Sequence, residues 1–190
     1  MNNLSKHYYR IMILAALILA AGALWLLVRP FEANDRYNEY LIGGTLLLTS
    51  VTYFSAFGVN RRLYFRPGWL LQEAFFLLLF SIVIFFLPYL DFEINAAVYG
   101  FMAFFAAAVQ FTSSIQLGAL EIRRWWIILI FALTNLLIGV YFIKICPVLN
   151  VDEYPSVAVY LLVMAAISLA EPFVYLKTPV HSRERQRGSR

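Results

Sequence analysis

Apolar residues run along the chain in six stretches, separated by short segments rich in charge or proline. The stretches are Ile11–Val28, Tyr40–Phe57, Trp69–Leu87, Ala96–Leu117, Trp125–Ile143 and Val157–Leu176. About 20 mostly apolar residues are what a helix needs to cross the hydrocarbon core of a bilayer. A membrane β-barrel would instead show short segments of alternating polarity, and the run Phe75-Phe76-Leu77-Leu78-Leu79-Phe80 alternates nowhere. The pattern predicts an all-α integral membrane protein with six transmembrane helices.

Composition sharpens this by exclusion. The 190 residues are 62% hydrophobic and 14% charged, against roughly 25% charged in a soluble domain. A soluble fold would have to bury nearly every position and would lack the charge that keeps a surface dispersed. An ordinary soluble enzyme and a disordered chain are excluded. So is a disulfide scaffold, because Cys146 is the single cysteine.

The charges sort by side. Lys6, Arg10, Arg61, Arg62, Arg66, Arg123, Arg124, Lys177, Arg183, Arg185, Arg187 and Arg190 fall on the side of the N-terminus, twelve against three (Arg29, Arg36, Lys144). The acids Glu32, Asp35, Glu39, Asp91, Glu93, Asp152 and Glu153 crowd the sparse side. The positive-inside rule then expects both termini in the cytoplasm. Lys6, Arg10 and the run up to Ala21-Gly22-Ala23 share features with a signal peptide, but apolar residues continue through Val28, as in a retained span. The net charge of +4 thus reads as topology and implies no nucleic-acid partner. The basic tail 177–190 is expected to be disordered and to anchor orientation, with anionic headgroups as its alternative partner.

A repeat underlies the spans. Pro30, Pro88 and Pro147 each close an outward-going span, 58 and 59 residues apart. A small residue, Gly22, Ser81 or Gly139, precedes each by seven or eight positions. Aromatic residues open each unit: Tyr8-Tyr9, Trp69 and Trp125-Trp126. The returning span carries glycine near its start in two units, Gly43-Gly44 and Gly100. Three hairpins running the same way, about 8–58, 67–118 and 124–176, make a single membrane domain. Proline past a helix end leaves no missing donor in lipid, and small residues let backbones approach, as do Ala16-x-x-x-Ala20, Ala103-x-x-x-Ala107 and Ala166-x-x-x-Ala170. A parallel repeat differs from the inverted repeat of many secondary transporters.

This arrangement resembles the HdeD-type acid-resistance membrane proteins over about residues 8–176, best at Gly22…Pro30…Gly43-Gly44 and Trp125-Trp126…Gly139…Pro147. The resemblance implies a small six-span inner-membrane protein tied to acid stress, with no agreed molecular activity. The chain departs from the family pattern at Ser81, where glycine is usual, and in the third unit, which lacks the return glycine.

Ionisable residues inside a span are costly and mark functional candidates. Glu73 lies four residues past Trp69, and Glu171 six before Lys177, so the two carboxylates share a depth near the cytoplasmic face. Two readings are open: a proton-accepting pair, or carboxylates paired with snorkelling Arg or Lys that stitch helices together. Pro172 frees the carbonyl of Ser168, making either a polar kink beside Glu171 or a frayed helix end. Gln72, Gln110, Thr134 and Asn135 are the uncharged intramembrane candidates. Asn135, near the midplane, needs a partner on an adjacent helix. Thr45, Thr49 and Thr52 form a stripe that serves either a pore or helix packing, with hydroxyls returned to their own backbone.

No metal cluster, phosphate loop or nucleophile motif appears, and no cofactor is expected. Lone Cys146 reads as an apolar filler, and Lys144 as a snorkelling anchor. A non-enzymatic membrane protein of the resembling family fits every feature. The alternative is a small channel or proton-coupled transporter, with homo-oligomers expected and Glu73 and Glu171 at work. A membrane-embedded enzyme lacks a convergent acid, base and nucleophile set in these short loops.

Overall fold

A computed structural model of the chain describes residues 3–28, 37–60, 68–86, 92–119, 124–149 and 153–176, and the regular structure in them is all helical. Pro30, Pro88 and the tail 177–190 lie outside the described residues. The elements are α1 (Asn3–Val28), α2 (Tyr37–Asn60), α3 (Gly68–Phe86), α4 (Phe92–Ala119), α5 (Trp125–Val140), a π-helical turn Tyr141–Ile145, α6 (Cys146–Leu149) and α7 (Glu153–Leu176). Six helices are long and apolar enough to cross a membrane, counting α5, the π turn and α6 as one.

The fifth span does not end at its proline. Pro147 sits within α6. Proline cannot donate to the carbonyl one turn back and presses its ring against it. Just upstream, the N–H of Cys146 reaches five residues back to the carbonyl of Tyr141. That widened turn shifts the hydrogen-bond ladder where the proline would otherwise break it. Pro172 is likewise interior to α7, which continues to Leu176 and is not frayed at Glu171.

The outer surface is apolar, unlike that of a soluble bundle, and polar residues join apolar ones in the interior. Leu17, Leu24, Trp25, Phe75, Leu79, Leu133 and Leu137 point outward, while Thr49, Ser50, Glu73, Ser81, Gln110, Asn135, Ser168 and Glu171 are buried. Lipid is as apolar as leucine, so outward faces need no polar dressing, and the polar groups collect where other helices satisfy them.

Consecutive spans pack side by side, and α7 returns to pack against α1, closing a ring. The most extensive interfaces are α2 with α3, α4 with α5 and α1 with α7; α5 touches α7 only lightly. Each major interface has its own fastening. On α2–α3, Ser81 Oγ donates to the carbonyl of Gly43 at 2.7 Å and Ser50 Oγ to that of Ala74 at 2.8 Å. Serine at 81 thus makes an interhelical bond that glycine would lack. On α4–α5 the two backbones approach directly: a Cβ on Gly139 would lie 3.1 Å from the carbonyl of Gly100, and one on Gly100 would lie 3.2 Å from that of Gly139. On α1–α7, Tyr9 meets Phe173 edge to face at 5.4 Å.

Some small residues do not pack as expected from spacing. Gly44 faces open space, with nothing within 4 Å of an added Cβ, so it is not a packing position. Ala166 is exposed, and Ala158 and Ala165 are the buried alanines of α7. Gly22 is tight against the side chain of Thr45 on α2. Glu39 also departs from its expected place in an external loop. It lies in the first turn of α2 and is 5% exposed.

The two glycine classes should separate on substitution. Gly139→Ala forces a Cβ against Phe104 at 2.7 Å and against a backbone carbonyl that cannot retreat alone, and is expected to cost about 1–3 kcal/mol. Gly44→Ala is expected to leave stability unchanged or raise it by up to about 1 kcal/mol, because alanine favours helix. Unfolding equilibria in detergent micelles measure both.

Candidate functional site

Five buried polar side chains line one cavity of about 30 Å³, room for about two water molecules. Its polar lining is Tyr53 from α2, Glu73 from α3, Gln110 from α4, Asn135 from α5 and Tyr160 from α7. Phe76, Phe80, Met102 and Met164 supply apolar walls. Phe76 stacks on Phe105 at 4.7 Å, bracing α3 against α4.

Within this lining the amides form a directed chain. Gln110 bonds the side chain of Glu73. Asn135 Nδ2 donates to Gln110 Oε1 at 2.8 Å. A carboxylate only accepts, so Gln110 must turn its NH₂ to Glu73 and its oxygen to Asn135. That leaves Asn135 Oδ1 buried without a partner, and the hydroxyl of Tyr160 is buried and unpartnered as well. Two unmet polar groups on a cavity of this size mark it as a place for water or a small ion.

Below this chain lies Glu171, 1% exposed, with Oε2 unpartnered. Glu171 is within electrostatic reach of Glu73, and the hydroxyls of Tyr8 and Tyr53 are within reach of both carboxylates. Tyr53 Oη lies 2.6 Å from Ser168 Oγ, one turn before Glu171, tying α2 to α7 across the ring interior. Among the residues whose side chains are described no Lys or Arg pairs with either glutamate: Arg10, Arg124 and Lys144 are all exposed. Arg66, Arg123 and Lys177 lie outside the described residues.

Of the residues singled out from sequence, the structure brings Glu73, Gln110 and Asn135 onto one cavity and places Glu171 within its field. Gln72 is exposed on the outer surface of α3, and Thr134 returns its hydroxyl to the carbonyl of Ile130. Thr45, Thr49 and Thr52 return their hydroxyls to the carbonyls of Leu41, Thr45 and Thr49 on their own helix. Cys146 is buried and Lys144 exposed. Sequence reasoning missed Tyr8, Tyr53, Tyr160 and Ser168, because tyrosine and serine in a span read as interface and packing residues. A signal was available: Tyr53, Gln110 and Ser168 stand 57 and 58 residues apart, close to the proline spacing.

No group of three or more His, Cys, Asp or Glu able to hold a metal occurs among the described residues. No protein-family model, curated protein or solved structure matches the chain. Architecture and site together define a multi-pass helical membrane protein with a polar interior.

The amide chain is open to direct measurement. A double-mutant cycle of Asn135→Ala and Gln110→Ala, read from unfolding in micelles, is expected to give a coupling of about 0.6 kcal/mol, with about 1.7 as its ceiling. Strictly additive single effects would show that the bond contributes nothing.

Proposed function

We propose that this protein is a non-enzymatic inner-membrane protein that carries protons across or into the bilayer through Glu73 and Glu171, with both termini cytoplasmic. The observation that carries the reading is a pair of buried carboxylates within electrostatic reach of each other, with no Lys or Arg partner among the residues whose side chains are described. A charged carboxylate in a span costs about 3 kcal/mol at the bilayer centre, and two in one cluster add mutual repulsion. A cation relieves both terms. A proton does so without needing a cage of ligands, and Gln110, Asn135 and Tyr160 supply the hydrogen-bonding surroundings that a relay uses.

The HdeD-type resemblance supplies a setting in which such chemistry is useful, since it implies a role in acid stress. It rests on Gly22, Gly43, Gly139 and their prolines, which organise packing, and no residue of the site is carried over with it. Homo-oligomers and binding of anionic headgroups by the tail 177–190 belong to the same reading. The short loops carry no acid, base and nucleophile set, which supports a transport role over an enzymatic one.

Proton flux tests this directly. Purified protein in liposomes loaded with a pH dye is expected to collapse an imposed acid gradient faster than empty liposomes. Glu73→Gln and Glu171→Gln keep shape and hydrogen bonding but cannot release a proton, and each is expected to slow flux by about tenfold or more. Wild-type flux equal to that of empty liposomes would sink the proposal, as would full flux in both variants.

A further inference from the structure

The contacts across the ring interior have a regularity that local packing does not require. Tyr53 and Ser168 are 115 residues apart in the chain, and so are Glu39 and Tyr154, whose hydroxyl donates to Glu39 Oε1. Both bonds join α2 to α7, two helices that are not neighbours around the ring. The two contacts lie 14 residues apart on each helix, roughly 21 Å at 1.5 Å per residue. The helices therefore run parallel, in one register, from one bond to the other.

Helix α4 shares that register. Gln110 falls between Tyr53 and Ser168 at offsets of 57 and 58, and Ala96 falls between Glu39 and Tyr154 at the same offsets. All of these positions are buried except the half-buried Tyr154. The cavity obeys the same arithmetic: Met102 and Tyr160, Ala106 and Met164, and Val109 and Ile167 line it in pairs 58 residues apart on α4 and α7. In a parallel repeat, equivalent residues are related by rotation about a shared axis and can touch only beside it. Two such contacts define a line, and the cavity lies along it.

We infer that the chain holds its own axial proton path where α2, α4 and α7 meet, and that the Glu39–Tyr154 bond is the gate at the end away from the termini. The inference rests on the proposed proton role of Glu73 and Glu171, and it adds a route and a site. At the gate, Glu39 Oε2 is buried without a partner. Asn38 beside it has both amide atoms unpartnered, and so is Oδ1 of Asn95, which is 57 residues further on. A dry, finished helix interface would not leave such groups unmet, whereas a mouth that water visits would. From the gate, Tyr160 stands six residues down α7, about 9 Å, with its free hydroxyl on the cavity. Beyond the cavity the Tyr53–Ser168 pair leads to Glu171, three residues further on α7. A proton thus meets Glu39, the cavity water beside Tyr160 and Asn135, Glu73 and Glu171 in that order, each step a transfer between oxygen atoms.

The gate is tested by thiol access. On a Cys146→Ala background, Met164→Cys places a thiol on the cavity wall, and Ag⁺, small and added to one side of oriented proteoliposomes, reports its exposure. With the gate intact, modification from the side opposite the tail is expected to be slow. Tyr154→Phe removes the donor, and Glu39→Gln weakens the acceptor; each is expected to speed modification from that side about tenfold, the scale of one hydrogen bond to a charged group. Elution as a single species with unchanged helical signal identifies variants that fold. Modification at the parent rate in both folded variants would overturn the gate. Flux sensitive to Glu73→Gln but indifferent to both gate variants, with access unchanged, would leave the proton role standing and remove the axial route. Access opened by Tyr154→Phe in a protein without flux would keep the route and remove the proton role.

Discussion

Every polar group that this chain carries into the hydrocarbon must find its partner within the protein, and the rest of the structure is arranged around that requirement. Helices satisfy the backbone. Isolated hydroxyls on α2, α4 and α5 satisfy themselves, as Thr49, Ser113 and Thr134 do by bonding carbonyls four residues back on their own helices. Side chains that have no such local outlet, carboxylates and amides above all, have to be brought together. Glu73, Gln110 and Asn135 come from three helices, and they can meet only because neighbouring spans lie close enough for their side chains to touch. The tight crossings at Gly100–Gly139 and Ser81–Gly43 are therefore conditions for the polar centre as much as for the fold.

The same requirement explains what sequence reading reached and what it did not. Spans were legible because apolar length is a one-dimensional property, and the glycine and serine positions because close approach leaves a compositional mark. Ring closure between α1 and α7 leaves none: Tyr9 against Phe173 pairs two aromatic residues among many. Glu39 was misplaced because it sits one residue before the apolar stretch beginning at Tyr40, and charge next to a span boundary reads as loop. Its burial comes from Tyr154, which is 115 residues away. Pro147 looked like a stop signal because proline usually is one. The π turn that lets the helix run through it is a backbone adjustment with no residue signature of its own.

Proximity of the two glutamates was not legible. An equal distance from one membrane face, as expected from sequence, would put Glu73 and Glu171 on a common plane, and a plane through six helices still leaves many separations. Proximity follows from the order of helices around the ring and from the rotation of each about its axis. The first depends on closure, and the second on which residues of α3 and α7 face inward. Tyr53 and Ser168 settle the rotation of α2 against α7, and they were overlooked because neither is costly enough in lipid to draw attention by itself.

That oversight bears on how polar interiors in small membrane proteins are read. Ionisable residues identify where a site is expensive, whereas Tyr53 and Ser168, bonded to each other across the ring, identify where its interior lies. Glu73 has no acidic counterpart 58 residues on, where Phe131 stands, whereas Tyr53, Gln110 and Ser168 place a polar residue at each step of nearly that spacing. An asymmetric charge set has a physical rationale. Three equivalent glutamates around one axis would repel at close range, and the added desolvation would exceed what Gln110 and Asn135 can offset. Two carry less of that cost, and Ser113 stands where a further repeat of Glu171 would fall. Tyr53, Gln110 and Ser168 thus stand on three helices at near-equal spacing, whereas Glu73 and Glu171 have no acidic counterparts at that spacing.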